Sequence, residues 1–156
     1  MTEPLSDAPV GHRREGPIFN YLPPLRVTMR CTHCEKCCRE TEMMLCETDL
    51  RRLERAGYRR EEFSRMGEDG ITRLGNKGGH CFFYDASAKG CREYARRPLG
   101  CVLYPVNLSE DGDIVLDELC PEIGSVTEDE FEEKGRRLRS LLDTIASEAR
   151  RTRGPQ

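Results

Sequence analysis

Four thiol side chains are concentrated in one stretch of eight residues, at Cys31, Cys34, Cys37 and Cys38. The first three follow the spacing C-x2-C-x2-C, in which the chain curls so that three sulfurs converge on one centre. Tetrahedral zinc accepts C-x2-C pairs, and iron–sulfur clusters accept the C-x2-C-x2-C run of ferredoxins. Because neighbouring residues rarely direct both side chains at one ion, we expect Cys38 to serve a second centre or a bridge. The alternative of free buried thiols is disfavoured, because such a dense group oxidises readily unless it is metallated.

Four later cysteines lie beside turn residues or proline, at Cys81, Cys91, Cys101 and Cys120. With the first four they make eight thiols, which suits two tetrahedral four-sulfur centres, or one cubane cluster with a second site. The ninth cysteine, Cys46, stands apart from the motif spacings and follows an apolar run. We expect Cys46 to be structural and to pack as a small hydrophobic residue.

The eight cysteines are assigned to two groups by hypothesis. The Cys-Pro pair at 120–121 is typical of the fourth ligand in bacterial ferredoxin runs, in which proline follows the cysteine. The first group therefore contains Cys31, Cys34, Cys37 and Cys120. The second group contains Cys38, Cys81, Cys91 and Cys101, which supply another centre or stay partly free. The three-cysteine run and the distant Cys-Pro pair narrowly favour an iron–sulfur cluster of the 4Fe-4S type over zinc.

Two histidines and two tyrosines lie close to these cysteines in the sequence. His33 and His80 each adjoin a cysteine and could replace a thiolate as ligand, but hydrogen bonding near the sulfurs is the favoured interpretation. Tyr94 and Tyr104 could donate hydrogen bonds to the sulfurs, and we expect them instead to fill the core. No H-E-x-x-H motif, nucleophile elbow or strand-linked glycine-rich loop occurs, so no catalytic residue is assigned.

The composition predicts one domain with a thin apolar core. The chain has 156 residues, of which 37% are hydrophobic and 34% are charged, and it lacks tryptophan. A bound metal, which contributes on the order of 10 kcal/mol, would help such a chain to fold. The formal net charge of -3 argues against nucleic-acid binding driven by overall charge.

Cysteine usage also indicates a compartment. Residues 1–24 contain no apolar segment typical of a signal peptide, and no stretch of the sequence is long and apolar enough to span a membrane. We therefore expect a cytoplasmic protein without membrane association. In that reducing compartment, clustered cysteines stay free of disulfide bonds and are available to bind metal. The odd number of nine cysteines also fits full disulfide pairing badly.

Patterns around the first cysteines predict the elements that position them. Residues 1–24 carry five prolines and are expected to form an extended lead-in. Apolar and polar residues alternate over 25–31, which predicts a strand that enters the cysteine loop. A helix is predicted after the loop, with Thr48 or Asp49 as its N-cap and Gly57 at its end.

The middle of the chain predicts short helices and strands. A helix around 60–65 is expected to turn Phe63 and Met66 inward. A hairpin is expected to place Cys81 and Cys91 near its open ends, where they face each other. Short strands are predicted at 71–74, 80–84, 106–108 and 114–116.

The C-terminal part predicts one long helix over about 127–151. Thr127 and Glu130 have the types and spacing of a capping box. An apolar stripe follows at helical period: Phe131, Leu138, Leu141, Leu142, Ile145 and Ala149. The simplest interpretation is that the apolar face of this helix packs on the domain and its charged face is solvated. The alternative is that three of its arginines form a surface for nucleic acid or a partner: Arg136, Arg137 and Arg139.

The predicted fold class is α+β: a small irregular cysteine-rich domain with short β-hairpins around a metal cluster, flanking helices and a C-terminal amphipathic helix. The extended N-terminal segment is expected at 1–24. A cysteine-cluster metal-binding domain is expected at 25–124, and the C-terminal helix with a basic tail at 125–156.

The cysteine pattern resembles that of the YkgJ-type cysteine-cluster family, a zinc- or iron-chelating CxxCxxCC domain. The resemblance covers about 25–124 and rests on motifs that occur in the family's order: CTHCEKCC at 31–38, HCFFYD at 80–85, GCREY at 90–94, Arg-Pro at 97–98, Cys101 followed by Tyr-Pro at 104–105, and Cys-Pro at 120–121. The resemblance implies metal chelation. The family often has arginine where this chain has Val102, so the resemblance implies that Arg96 or Arg97 would balance thiolate charge here.

Three functions remain open at this point. The first is a metal-chelating module that passes electrons to a protein partner, as many relatives labelled iron–sulfur oxidoreductases imply. The second is a structural or adaptor protein in which zinc holds the fold and the arginine-bearing helix binds a partner. The third is a metal-dependent enzyme, because the same kind of cluster occurs in flagellin lysine methylases.

Overall fold

A computed structural model of the protein describes residues 25–155, and the predicted lead-in at 1–24 lies outside this part of the chain. The helices are α1 (Glu47–Arg55), α2 (Arg60–Phe63), α3 (Leu99–Leu103) and α4 (Glu128–Arg153). The strands are β1 (Met44–Leu45), β2 (Ser64–Met66), β3 (Thr72–Leu74), β4 (Asn76–Lys77), β5 (His80–Cys81), β6 (Tyr84–Asp85), β7 (Gly90–Cys91), β8 (Val106–Leu108) and β9 (Ile114–Leu116). Helices and small sheets thus share one chain, which confirms the predicted small α+β domain.

The strands form small antiparallel sheets. One sheet has three strands in the order β1-β3-β2, and the other strands pair as β4 with β5, β6 with β7, and β8 with β9. The predicted strands at 71–74, 106–108 and 114–116 are present within one residue of their expected bounds. The predicted strand at 80–84 is interrupted between β5 and β6, because the chain turns there and buries Phe83 to 1% exposure.

This interruption changes the partners of two cysteines. Cys91 on β7 lies opposite Tyr84, whereas Cys81 on β5 lies opposite Asn76 in a different pair of strands. The expectation that Cys81 and Cys91 face each other across one hairpin is therefore wrong. Each cysteine instead reaches the same region of the molecule from its own hairpin.

The first core cluster packs α1 and the three-stranded sheet around aromatic rings. Phe83 lies 4.9 Å from Tyr58 and 5.7 Å from Phe63, measured between ring centroids. The cluster consists of Leu45, Leu50, Leu53, Phe63, Leu74, Cys81 and Phe83. Phe63 is fully buried, as predicted, but Met66 is 61% exposed because it lies on the outer strand β2.

The start of α1 differs from its prediction. The N-cap is Cys46, and its side chain makes no capping hydrogen bond. Neither Thr48 nor Asp49 caps the helix, because the Asp49 carboxylate is buried and binds groups in the interior. Asp49 Oδ1 accepts a hydrogen bond from the Leu99 backbone N–H at 3.0 Å, and Asp49 thereby joins α1 to the start of α3.

The second core cluster packs α4 against α3 and β8. It consists of Cys46, Leu103, Val106, Leu138, Leu141 and Ile145. The predicted stripe on α4 and the predicted burial of Cys46 are thus confirmed, and the apolar face of α4 shares this core with residues from 25–124. Within residues 25–155, no helix has both the length and the apolar character that crossing a membrane requires.

Residues 25–31 do not form the predicted strand. Their backbone is bound by a side chain instead: Glu130 Oε2 accepts hydrogen bonds from the N–H groups of Thr28 at 2.7 Å and Met29 at 3.0 Å. The capping box is consequently incomplete. Thr127 Oγ1 accepts from the Glu130 N–H at 3.2 Å, but the Glu130 carboxylate binds Thr28 and Met29 and does not return to Thr127.

Candidate metal centre

One cavity of about 110 Å³ is lined by eight of the nine cysteines, and we call it the cysteine cavity. Its cysteines are Cys31, Cys34, Cys37, Cys38, Cys81, Cys91, Cys101 and Cys120. Cys46 is buried outside the cavity, where its Sγ lies 3.4 Å from Asp49 Oδ2. The structure therefore brings together the two predicted groups of cysteines and separates the one predicted to be structural.

Backbone turns in the loop 31–38 aim its sulfurs into the cavity. His33 and Glu35 have positive φ angles of 55° and 65°, a conformation that residues with a side chain rarely adopt. The chain then enters a 3-10 turn at Lys36–Cys38, closed by a hydrogen bond from the Cys38 N–H to the Glu35 carbonyl at 2.9 Å. The His33 N–H also donates to Cys31 Sγ at 3.4 Å. Backbone strain of this kind is concentrated at functional sites, which is consistent with a ligand loop.

The other four cysteines come from four different elements. Cys81 ends β5, Cys91 ends β7 and Cys101 lies in the middle of α3. Cys120 follows β9 in a turn closed by a hydrogen bond from its own N–H to the Asp117 carbonyl at 3.1 Å. Their convergence depends on tertiary packing, because 39 positions separate the first of them from the last in the sequence.

Burial keeps the deeper thiols protonated in the absence of a metal. It raises the pKa of Cys81 to about 11 and raises the pKa of Cys101 well above its ordinary value, with additional contributions to the latter from Cys81 and Cys37. Burial also raises the pKa values of Cys91 and Cys120. A cation that binds these sulfurs must therefore displace protons from them.

The effect of each thiol's charge on the pKa of the others indicates which thiols lie close together. After burial, the groups that raise the pKa of Cys120 are the thiols of Cys34, Cys37 and Cys31. The pKa of Cys101 is raised, after burial, by another set of thiols: Cys81, Cys37 and Cys91. Cys37 thus lies next to both sets, and its own pKa is raised chiefly by a hydrogen bond with Cys38.

The donor set fits a thiophilic metal centre. Thiolates are the ligands of structural zinc and of iron–sulfur clusters, and eight of them line this one cavity. No three His, Cys, Asp or Glu side chains within residues 25–155 are already arranged as a metal site. The thiols of these residues therefore share a cavity without forming a closed coordination shell.

Neither histidine takes the position of a central ligand. His80 lies outside the cavity lining, where its ring stacks on Tyr84 at 4.5 Å with an angle of 14° between the planes. His33 lines the cavity, and its ring lies 5.0 Å from that of Tyr94. Tyr84 was not singled out from the sequence, yet its hydroxyl donates to Glu35 and so supports the ligand loop.

Tyr94 and Tyr104 occupy different surroundings. Tyr94 is 38% exposed, so the expectation that it fills the core is wrong. Tyr104 lines the cavity, and its hydroxyl oxygen is buried without a hydrogen bond of normal geometry to any described residue, although Asp117 lies near enough to raise the pKa of this phenol. Burial is the largest cause of that raised pKa.

Arg96 and Arg97, the two arginines expected to balance thiolate charge, differ in their position relative to the cavity. Arg97 lines the cavity, with its guanidinium 4.1 Å from the centroid of the Tyr94 ring, and its charge acts to lower the pKa of Cys91. Arg96 instead pairs with Glu93 at 2.8 Å and does not line the cavity. Of the two, only Arg97 is placed to influence the thiolates.

A buried lysine also lines the cavity and was missed from the sequence. Lys134 on α4 is fully buried, with its Nζ 2.7 Å from Glu130 Oε1. The sequence did carry a signal, because Lys134 lies three residues after Phe131 and four before Leu138, inside the apolar stripe. A lysine at such a position is directed toward the interior rather than toward solvent.

Comparison with protein families matches residues 30–121 to CxxCxxCC, described as a "putative zinc- or iron-chelating domain". The chain belongs to the CxxCxxCC family. The matched segment begins one residue before Cys31, ends at Pro121 and contains all eight cysteines of the cavity. Membership in the CxxCxxCC family confirms the resemblance seen in the sequence and supports cysteine-ligated binding of zinc or iron. Comparison with curated proteins and comparison with solved structures each gave no match.

Proposed function

We propose that this CxxCxxCC protein holds an iron–sulfur cluster in the cysteine cavity and passes electrons to a protein partner. The observation that carries the proposal is the convergence of eight cysteines on one cavity from five separate parts of the chain. When bound, the cluster would accept and donate the electrons. The chain supplies the sulfur ligands, the charges around them and the exposed edge at which a partner approaches.

The neighbourhoods of the thiols support two groups of ligands. In the proposed first group, Cys120 is coupled to the thiols of Cys31, Cys34 and Cys37, which come from the loop 31–38. A run of three cysteines that is completed by a distant Cys-Pro is typical of iron–sulfur ligation. The proposed second group contains Cys38, Cys81, Cys91 and Cys101, of which Cys81 and Cys91 couple to Cys101.

The solvent exposure of some of the sulfurs supports the transfer of electrons to a protein partner. Cys31 and Cys37 are exposed, whereas Cys81 is buried and Cys101 partly buried. In a centre bound here, Cys31 and Cys37 would hold the side nearer to solvent, and Cys81 and Cys101 would hold the side nearer to the interior. Solvent exposure and hydrogen bonds to the sulfurs are among the factors that set the potential of such a cluster.

The deciding experiment is metal and sulfide analysis of protein prepared without oxygen, together with its absorption spectrum. The proposal expects iron, acid-labile sulfide and visible charge-transfer absorption that bleaches on reduction. A colourless protein with stoichiometric zinc and no sulfide would exclude electron transfer and leave the zinc-stabilised structural role. A protein without metal that stays folded in strong chelator would exclude both.

The zinc-stabilised adaptor remains the second candidate, but its proposed arginine surface is only partly available. Arg137 is buried and pairs with Glu133, and Arg139 donates to the Gly112 carbonyl at 3.2 Å. Arg136 is exposed but also pairs with Glu133 at 2.6 Å. Charge reversal of Arg136 and Arg139, both exposed, would test this surface without disturbing the core face of α4. Unchanged partner binding after that reversal would exclude it.

A further inference from the structure

Lys134 and Glu130 form a buried ion pair on the first turns of α4. The side chains are 0% and 1% exposed, and Lys134 Nζ lies 2.7 Å from Glu130 Oε1. Lysine and glutamate are almost never fully buried unless they are paired. The two charges therefore neutralise each other, but neutralisation alone does not explain why charges occupy this position in an apolar stripe.

The two residues of the pair differ in their position relative to the cysteine cavity. Lys134 lines the cavity, beside Tyr104 and Cys120, whereas Glu130 is not among the lining residues. The Glu130 carboxylate accepts hydrogen bonds from the N–H groups of Thr28 and Met29, and Met29 itself lines the cavity. Lys134 is thus the member of the pair that borders the cavity, and Glu130 holds the segment that leads into the first cysteine loop.

The ammonium also has spare capacity for hydrogen bonding. A lysine ammonium has three N–H donors. Among residues 25–155, Lys134 forms an ion pair with the Glu130 carboxylate and donates a hydrogen bond to the Tyr104 carbonyl oxygen at a long 3.4 Å. At least one donor is therefore available to a group bound in the cavity.

A purely structural function would not require this cation. Well-packed apolar residues of similar volume replace many buried ion pairs with little loss of stability, or even a gain. A centre with several thiolate ligands, in contrast, carries net negative charge, and a fixed cation at its wall stabilises that charge strongly because the interior is poorly polarisable.

We propose that Lys134 is a positioning residue for the metal centre, whose ammonium compensates thiolate charge while Glu130 fixes it in place. The inference rests on the proposed metal binding in the cysteine cavity. It applies equally to zinc and to an iron–sulfur cluster, because both carry thiolate ligands. It assigns to α4 a role in metal retention that the family match at 30–121 does not cover.

The test compares three variants with the metal-loaded wild type. Glu130→Gln/Lys134→Met removes both charges and leaves no unpaired ion. Glu130→Gln alone keeps the ammonium and an oxygen acceptor for Thr28. Glu133→Gln/Arg137→Met is the matched control, because that ion pair lies one turn further along α4, at 2.7 Å, and neither residue lines the cavity. The readouts are circular dichroism for folding and the rate of metal transfer to a chromogenic chelator.

The double variant without Lys134 is expected to fold and to release metal about tenfold or more faster than the wild type, since loss of an outer partner typically weakens metal binding 10–100-fold. Glu130→Gln alone keeps the ammonium but loses the charge that holds it, so its release rate is expected to lie between those of the wild type and the double variant, whereas the control pair is expected to release metal no faster than the wild type. Equal acceleration in all three variants, or release from the double variant within about twofold of wild type, would overturn the inference. So would a double variant that fails to fold, because the pair would then be structural. A wild type that binds no metal would refute the proposed function itself, a distinguishable result.

Discussion

The Glu130 carboxylate accepts a hydrogen bond from the Thr28 N–H at 2.7 Å across 102 positions of sequence. The Thr28 hydroxyl donates to the same carboxylate oxygen. Burial alone would raise the pKa of Glu130, but the hydrogen bonds from Lys134 and Thr28 outweigh it and lower this pKa. The carboxylate is therefore ionised at neutral pH and fixes the segment that enters the first cysteine loop to the first turn of α4.

Thr28→Val tests this tether. The substitution keeps the shape of the side chain and removes one donor to a charged group, so we expect the free energy of unfolding to fall by about 1 kcal/mol. Denaturant unfolding of the metal-loaded protein measures the change. Thr152→Val is the control, because its hydroxyl donates to a backbone carbonyl on an exposed part of α4. A loss in the control as large as that in Thr28→Val would contradict the tether.

Single cysteine substitutions test the two ligand groups. If the groups are separate centres, Cys120→Ala and Cys91→Ala should each remove one centre, and the double variant should remove both. The metal-to-protein ratio measures each result. Cys46→Ala is the matched control, since Cys46 is buried but lies outside the cavity, and it should keep the wild-type ratio. Complete loss of metal in either single variant would show that all the ligands serve one joint centre.

Local spacing was enough to single out most of the cysteines that line the cavity. The loop 31–38 places its thiols through neighbouring residues, and the isolation of Cys46 from the motif follows from its position in an apolar run. The stripe on α4 was likewise predictable, because burial of one helix face repeats every three or four residues. These features depend on contacts within one element or on composition, which the sequence displays directly.

The remaining features depend on contacts between distant elements. The alternation at 25–31 resembled a strand, but the Glu130 side chain takes the hydrogen bonds that a neighbouring strand would otherwise provide. The partners of Cys81 and Cys91 changed because burial of Phe83 interrupts the predicted strand. Neither event leaves a local trace in the sequence, whereas Lys134 does, through its place in the stripe.

Metal retention should depend steeply on pH. The pKa of Cys81 is raised to about 11 by burial, and the pKa values of Cys91, Cys101 and Cys120 are also raised, so these thiols carry protons when no metal is bound. Metal binding releases those protons, and acid therefore favours the metal-free state. For each such thiol, a fall of one pH unit should weaken binding by about tenfold.

Competition with a chelator between about pH 8 and pH 6 measures this dependence. Cys46→Ala should give the same slope as the wild type, although burial raises the pKa of Cys46 to about 12, because this thiol lies outside the cavity. An affinity that does not change with pH would mean that the raised thiols are not ligands.

Arg97 and Arg96 form a natural pair for testing charge compensation at the cavity. Arg97 lines the cavity, and its charge favours the thiolate form of Cys91, whereas Arg96 pairs with Glu93 away from the lining. Arg97→Gln should therefore speed metal release several-fold, which is less than the 10–100-fold typical of outer partners, because Arg97 is only half-buried. Arg96→Gln should leave the rate near that of the wild type while it lowers stability by about 1 kcal/mol through the loss of a partner for buried Glu93. Stopped-flow transfer to a chelator measures the rates, and a larger effect for Arg96→Gln than for Arg97→Gln would reject the assignment.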